Sequence, residues 1–111
     1  MTTEQLSKYD HMHPAMQEVF IKRLVATNDP VFNYTKAAEE LMELAELCLK
    51  KVNKVTPPPD ESVAEEIADV GLRVSVLIHM LKVEDFVDDR QARKLSRLEE
   101  YYKEGKYPGR V

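Results

Sequence analysis

Apolar residues recur with helical spacing in four stretches of the chain, and no stretch shows the strict apolar–polar alternation of a strand. The first helix is predicted to start at Pro14, because proline suits the first turn of a helix. A second, longer helix is predicted to start between Pro30 and Thr35 and to end near Asn53, with Asp29 available as an N-cap and Pro30 as a first helical residue. This pattern is typical of an all-α protein.

Three consecutive prolines at 57–59 interrupt the helical pattern and predict a stiff, extended connector. Ser62 and Glu65 then read as a capping box, which predicts a third helix over about residues 63–82. The second half of this helix, 70–81, is apolar around nearly its whole circumference, as in a buried helix. The two long helices should therefore form a hairpin.

A fourth helix is predicted to begin at a cap formed by Asp85 or Asp88 and to end near Lys103. We expect a four-helix bundle whose two long helices form an antiparallel centre. Their apolar faces exceed what two flanking helices can cover, so we expect a homodimer or homotetramer to complete the bundle. The expected organisation is an N-terminal arm at 1–13, one helical domain at 14–104 and a C-terminal tail at 105–111.

Composition narrows the class of protein further. The 111 residues suit one domain, and a net charge of −4 argues against binding nucleic acid through bulk positive charge. A lone Cys48 excludes a disulfide framework and fits a reducing, cytoplasmic compartment. The longest apolar run, 70–81, is too short to span a bilayer, and no N-terminal stretch resembles a signal peptide. We therefore expect neither a nucleic acid nor a membrane as a partner.

Two pairs of carboxylates lie on helix faces that otherwise carry apolar residues. Glu40 and Glu43 are three positions apart on the second helix, and Glu66 and Asp69 are three apart on the third, so each pair points one way. An ionised carboxylate in a core is costly unless it is paired or binds a metal. Antiparallel helices would bring the pairs face to face, and four carboxylates around one cavity suit Mg²⁺, with Mn²⁺ as a substitute.

Two alternative interpretations of these acids remain open. A glutamate-rich helix is often only a solvated face, and the helical wheel places Glu39 and Glu46 in the middle of such a face. Alternatively, Lys36 or Arg73 could neutralise the acids and leave a buried ion-pair network without function.

The acids also form two short motifs that stand 22 residues apart. The first is the run Glu39-Glu40-Leu41-Met42-Glu43, and the second is Glu66-Ile67-Ala68-Asp69. At this spacing the motifs resemble the EExxE and ExxD patterns of MazG-like nucleotide pyrophosphohydrolases, which belong to the all-α NTP pyrophosphatase superfamily. The resemblance covers roughly residues 14–108.

The resemblance implies a Mg²⁺-dependent enzyme that cleaves the α–β phosphate bond of NTPs or dNTPs to a nucleoside monophosphate and pyrophosphate. It makes Glu40, Glu43, Glu66 and Asp69 the metal ligands and catalytic carboxylates, with Glu39 in a supporting role. Glu40 or Glu43 would orient or deprotonate the attacking water. The alternatives are a phosphoribosyl-ATP pyrophosphohydrolase-type activity and a non-catalytic helical oligomerisation module.

Three basic residues are candidates for binding the substrate's phosphates. Lys94 and Arg97 belong to a basic stripe on the fourth helix, and Arg73 follows Asp69 by one turn on the third. An ordinary exposed helix surface with i, i+4 ion pairs, such as Asp89 with Arg93, would explain the stripe equally well.

Overall fold

A computed structural model describes residues 12–53 and 55–106 of the chain. This part of the chain contains four α-helices and no strand, which confirms the prediction of an all-α protein: α1 (Pro14–Thr27), α2 (Pro30–Asn53), α3 (Asp60–Leu81) and α4 (Glu84–Lys103). None of these helices combines the length and the apolar composition needed to cross a bilayer. Residues 1–11 of the expected arm and 107–111 of the expected tail lie outside the described residues.

The chain divides into two compact units between Met80 and Leu81. The first unit contains α1, α2 and α3 up to its penultimate residue, and the second contains α4. The expected assignment of 14–104 to a single domain stays a prediction.

Local sequence accounts for where two of the helices begin or end. Asp29 Oδ1 accepts a hydrogen bond from the Phe32 backbone N–H at 2.8 Å, so Asp29 caps α2 as predicted. At the end of α4, Gly105 adopts a φ of 67°, and the Lys106 N–H donates to the Tyr101 carbonyl at 2.9 Å. This is the left-handed glycine stop expected after a helix.

The starts of α3 and α4 differ from the prediction. The first of these helices begins at Asp60, so Ser62 lies inside its first turn and is not an N-cap. The second begins at Glu84, and both expected caps, Asp85 and Asp88, lie within the helix. An acid in the first turn is stabilised by the helix dipole, and this effect is comparable to that of a side-chain cap. The expected caps therefore placed both starts a few residues too late.

Two contacts show that α2 and α3 run antiparallel. Lys51 near the end of α2 forms an ion pair with Asp60 at the start of α3. At the other end of the hairpin, Asn33 Nδ2 lies 3.5 Å from Met80 Sδ. These contacts join the beginning of each helix to the end of the other, which confirms the predicted hairpin of long helices.

The hairpin buries few apolar side chains in a single chain. Of the described apolar residues, only Ala37 and Val76 are buried, at 3% and 1% exposed. Within 70–81, Leu72 and Leu81 remain 41% and 48% exposed. The expectation that this half of α3 is buried is therefore wrong for the single chain, because too little of the chain packs against it.

Candidate metal centre

Three carboxylates converge on the α2–α3 hairpin, and we call them the acidic cluster: Glu40 and Glu43 of α2, and Glu66 of α3. One carboxylate oxygen of each lies within 4.8 Å of the others. Glu40 and Glu43 are neighbours because they are one turn apart on the same helix. Glu66 joins them because the antiparallel hairpin brings the first half of α3 opposite the middle of α2. The hairpin thus brings together three of the four predicted ligands.

Two oxygens of the acidic cluster are buried without a hydrogen-bond partner. They are Glu40 Oε2 and Glu66 Oε1, and the whole Glu66 residue is only 9% exposed. Among the described residues, no lysine or arginine forms an ion pair with any of the three acids. A buried carboxylate oxygen that has lost its water and found no donor is costly. The arrangement therefore suits a cation or a proton shared between the acids.

The proximity of Glu40 alters the acidity of Glu66 strongly. A side-chain hydrogen bond to Glu40, available only to protonated Glu66, raises the pKa of Glu66 to about 7. Burial raises this pKa too, as do the charges of Glu40, Glu43 and Asp69. A proton between Glu40 and Glu66 thus relieves the repulsion of like charges. A divalent cation would relieve the same repulsion while Glu40 and Glu66 both stay ionised.

The chemistry of the acidic cluster fits Mg²⁺ or Mn²⁺. All three donors are carboxylate oxygens, the ligand type that hard cations prefer. The cluster has no nitrogen or sulfur donor, which disfavours softer metals such as Zn²⁺. Glu40, Glu43 and Glu66 are therefore the residues that could hold the ion, with water or phosphate oxygens as further ligands.

Asp69, the fourth predicted ligand, is not part of the converging group. It follows Glu66 by one turn of α3 and is exposed, and its negative charge contributes to the raised pKa of Glu66. Arg73, one turn further along, is half-buried and forms no ion pair with a described acid. Asp69 thus lies at the edge of the acidic cluster and shapes its electrostatics.

The exposed glutamates of α2 pair with lysines on the same helix. Lys36 Nζ lies 3.2 Å from Glu39 Oε2, and Lys50 Nζ lies 2.9 Å from Glu46 Oε1. This confirms the expectation that Glu39 and Glu46 form the solvated face. Lys36 pairs with Glu39, and Arg73 pairs with no described acid. The described residues therefore do not form the neutralised ion-pair network that was the alternative interpretation.

The candidate phosphate-binding residues of α4 belong to the second unit. Lys94 and Arg97 are exposed and form no ion pair with a described acid, whereas Arg93 Nε lies 3.0 Å from Asp89 Oδ2. An open depression of about 360 Å³ is lined by Ala92, Arg93, Ser96, Arg97 and Glu100. Phosphate binding by Lys94, Arg97 and Arg73 stays a prediction.

One buried polar residue of the hairpin was not among the predicted site residues. Asn33 of α2 is 1% exposed, and its Oδ1 has no hydrogen-bond partner. It lies seven positions before Glu40, which puts both residues on the same face of α2. The signal available in the sequence was a polar residue in register with Ala37 and Glu40, on the face that the hairpin buries.

Comparison with known proteins adds no relative: no family model, no curated protein and no solved structure matches this chain. The resemblance to MazG-like enzymes therefore rests on the two acidic motifs and their spacing.

Proposed function

We propose that this chain is a Mg²⁺-dependent nucleotide pyrophosphohydrolase of the MazG-like type that works as a homo-oligomer in the cytoplasm. One observation carries the proposal: carboxylates from both acidic motifs converge, with two buried oxygens that no described group pairs. A helix that merely presented a solvated acidic face would leave its carboxylates exposed and apart.

Each motif acid has a role that follows from its place. Glu40, Glu43 and Glu66 would hold the cation, and Asp69 would add negative charge at the edge of the acidic cluster. Once bound, Mg²⁺ supplies the positive charge that allows a triphosphate to approach four carboxylates and that stabilises the reacting phosphate. Glu39 is engaged with Lys36, which limits it to supporting the helix surface.

The reaction is a hydrolysis of one phosphoanhydride bond. The oxygen of a water molecule bonds to phosphorus, the bond to the oxygen bridging the α and β phosphates breaks, and the products are a monophosphate and pyrophosphate. One carboxylate must orient this water or accept its proton. Glu40 and Glu43 are the candidates that the resemblance to MazG-like enzymes implies.

The proposal is tested by incubating the full chain with each common NTP and dNTP in Mg²⁺ and measuring monophosphate and pyrophosphate. We expect turnover that falls at least about 100-fold in Glu66→Gln, as when a metal ligand is lost. Glu39→Gln is the matched control, since it removes an exposed acid of the same motif that binds a lysine. If no nucleotide is cleaved with Mg²⁺ or Mn²⁺, and neither ion raises the melting temperature, the enzyme proposal is wrong.

The non-catalytic oligomerisation module has one observation in its favour, the exposed apolar residues of α3. It assigns no role to the unpaired oxygens of Glu40 and Glu66. A phosphoribosyl-ATP substrate uses the same acids, and adding this compound to the substrate panel distinguishes it from NTPs.

A further inference from the structure

One face of α3 carries an apolar stripe that nothing in the catalytic proposal uses. We call it the α3 seam, and its members are Ala64, Ile67, Gly71, Val74 and Ile78. Their spacing alternates between three and four residues over the length of the helix, which is the heptad pattern of a helix that packs along another helix. Ile67 and Val74 are 56% and 38% exposed. Exposed apolar surface arranged in this way marks an interface.

Gly71 has no explanation within a single chain. It lies at the middle of α3, where glycine weakens a helix relative to alanine. Its φ is not positive, and a Cβ built on it would meet nothing within 4 Å. Neither the backbone nor any neighbour therefore requires glycine here. A helix from another molecule that crosses at this point would require it, because only glycine allows the two backbones to approach closely.

A second copy of α3 fits the α3 seam when the two helices cross antiparallel at Gly71. A two-fold axis through Gly71 pairs residues at equal distances on either side of it. Large residues then lie opposite small ones, as interdigitated packing requires. The pairs are Ile78 with Ala64, Val74 with Ala68, and Ile67 with Ser75.

One more observation favours a second copy over a partner of different chemistry. From residue 63 onward, the half of α3 centred on the seam contains no charged residue. A two-fold interface packs the same face of both copies together, so the absence of charge on that face avoids repulsion between them.

We propose that the α3 seam is the interface with a second copy of this chain, and that the two α3 helices cross antiparallel at Gly71. This identifies the surface behind the homo-oligomer proposed above, yet it does not depend on catalysis. A dimer held by the seam that cleaves no nucleotide would overturn the pyrophosphohydrolase proposal and leave this interface proposal standing. A monomer that cleaves nucleotides would overturn the interface proposal and leave the enzyme activity standing.

Two glutamate variants of α3 test which face forms the interface. Val74 and Leu72 are exposed to similar extents, 38% and 41%, but only Val74 belongs to the seam. We expect sedimentation of the full chain to give a dimer, Val74→Glu to weaken dimerisation by at least about 100-fold, and Leu72→Glu to keep it. Circular dichroism of both variants monitors the helical fold. A wild-type monomer at every concentration, or a dimer that survives Val74→Glu, overturns the proposal.

Thiol crosslinking tests the direction of the crossing in a Cys48→Ser background. Position 78 is seven residues from Gly71, so an antiparallel pair keeps its two copies about 20 Å apart. A short crosslinker should join the Ala64→Cys/Ile78→Cys double variant into dimers and leave Ile78→Cys alone monomeric on a denaturing gel. Efficient crosslinking of Ile78→Cys alone would show parallel helices and overturn the crossing at Gly71.

Discussion

Glu40 on α2 and Glu66 on α3 form a carboxyl pair across the helical hairpin, and the contact raises the pKa of Glu66 to about 7. Each residue contributes one buried oxygen that no described group pairs. A proton or a cation must offset the repulsion between the two carboxylates of this pair. Stability and cation binding should therefore both depend on pH.

Without divalent cations, stability should fall as the pH rises from about 4.5 to about 7. The pKa of Glu66 is about 7 in the folded protein against an ordinary value of 4.5, so in this range the folded state binds more protons than the unfolded state. The stabilisation is complete below the lower value and is lost as the pH passes the upper one. Urea midpoints measured in chelator across this range would show the decline.

Glu66→Gln should flatten that decline. At pH values above neutral, the urea midpoint of this variant should be higher than that of the wild type. Glutamine carries no charge to repel Glu40, and its amide can donate to the unpaired Glu40 oxygen. Glu39→Gln, whose acid pairs with Lys36 on the surface, should leave the decline in place. If the urea midpoints of the wild type and Glu66→Gln changed equally with pH, a group other than Glu66 would control the decline in stability.

Mg²⁺ should raise the melting temperature of the wild-type chain, and more strongly at pH about 8 than at about 5.5. The cation competes with the proton that Glu40 and Glu66 share, so its affinity increases as this proton is lost. At a concentration 100 times the dissociation constant, binding stabilises the folded state by about 2.7 kcal/mol. Differential scanning fluorimetry with a Mg²⁺ series measures the effect, and its persistence in Glu66→Gln would place the ion elsewhere.

Asn33→Leu should stabilise the protein by about 1 kcal/mol. Asn33 is 1% exposed, and its Oδ1 lacks a partner, so the native residue bears a desolvation cost that leucine avoids. Leucine has the same branching and the same number of side-chain heavy atoms as asparagine, and it adds apolar contact with its surroundings. Chemical denaturation measures the change, and a loss of stability would indicate that Oδ1 of Asn33 has a partner in solution.

Val76→Ala should destabilise the protein by about 2 kcal/mol, because it removes methyl groups from a side chain that is 1% exposed and leaves a cavity. Val52→Ala on α2 is the matched control, since Val52 is 80% exposed and alanine has the higher helix propensity. The same denaturation experiment compares them. Similar losses in both variants would contradict the assignment of Val76 to the core.

The secondary structure was predictable because helices depend on local periodicity and on the residues at their ends. The N-cap of α2 at Asp29 and the end of α4 before Gly105 were predictable, since a side-chain cap and a left-handed glycine act over a few residues. The starts at Asp60 and Glu84 were missed. Several polar residues near each start could cap or enter the helix, and the alternatives differ by only about 1 kcal/mol.

The amino-acid sequence alone specified four helices, a hairpin of the two long ones and two pairs of acids on faces that are otherwise apolar. Only the tertiary structure decided that Glu40, Glu43 and Glu66 converge while Asp69 stays at the edge. It also decided that Asn33 is buried and that Ile67 is exposed. The physical reason is the range of the forces involved. Helical periodicity fixes which residues share a face, but the rotation and offset of two packed helices depend on contacts between residues far apart in the chain.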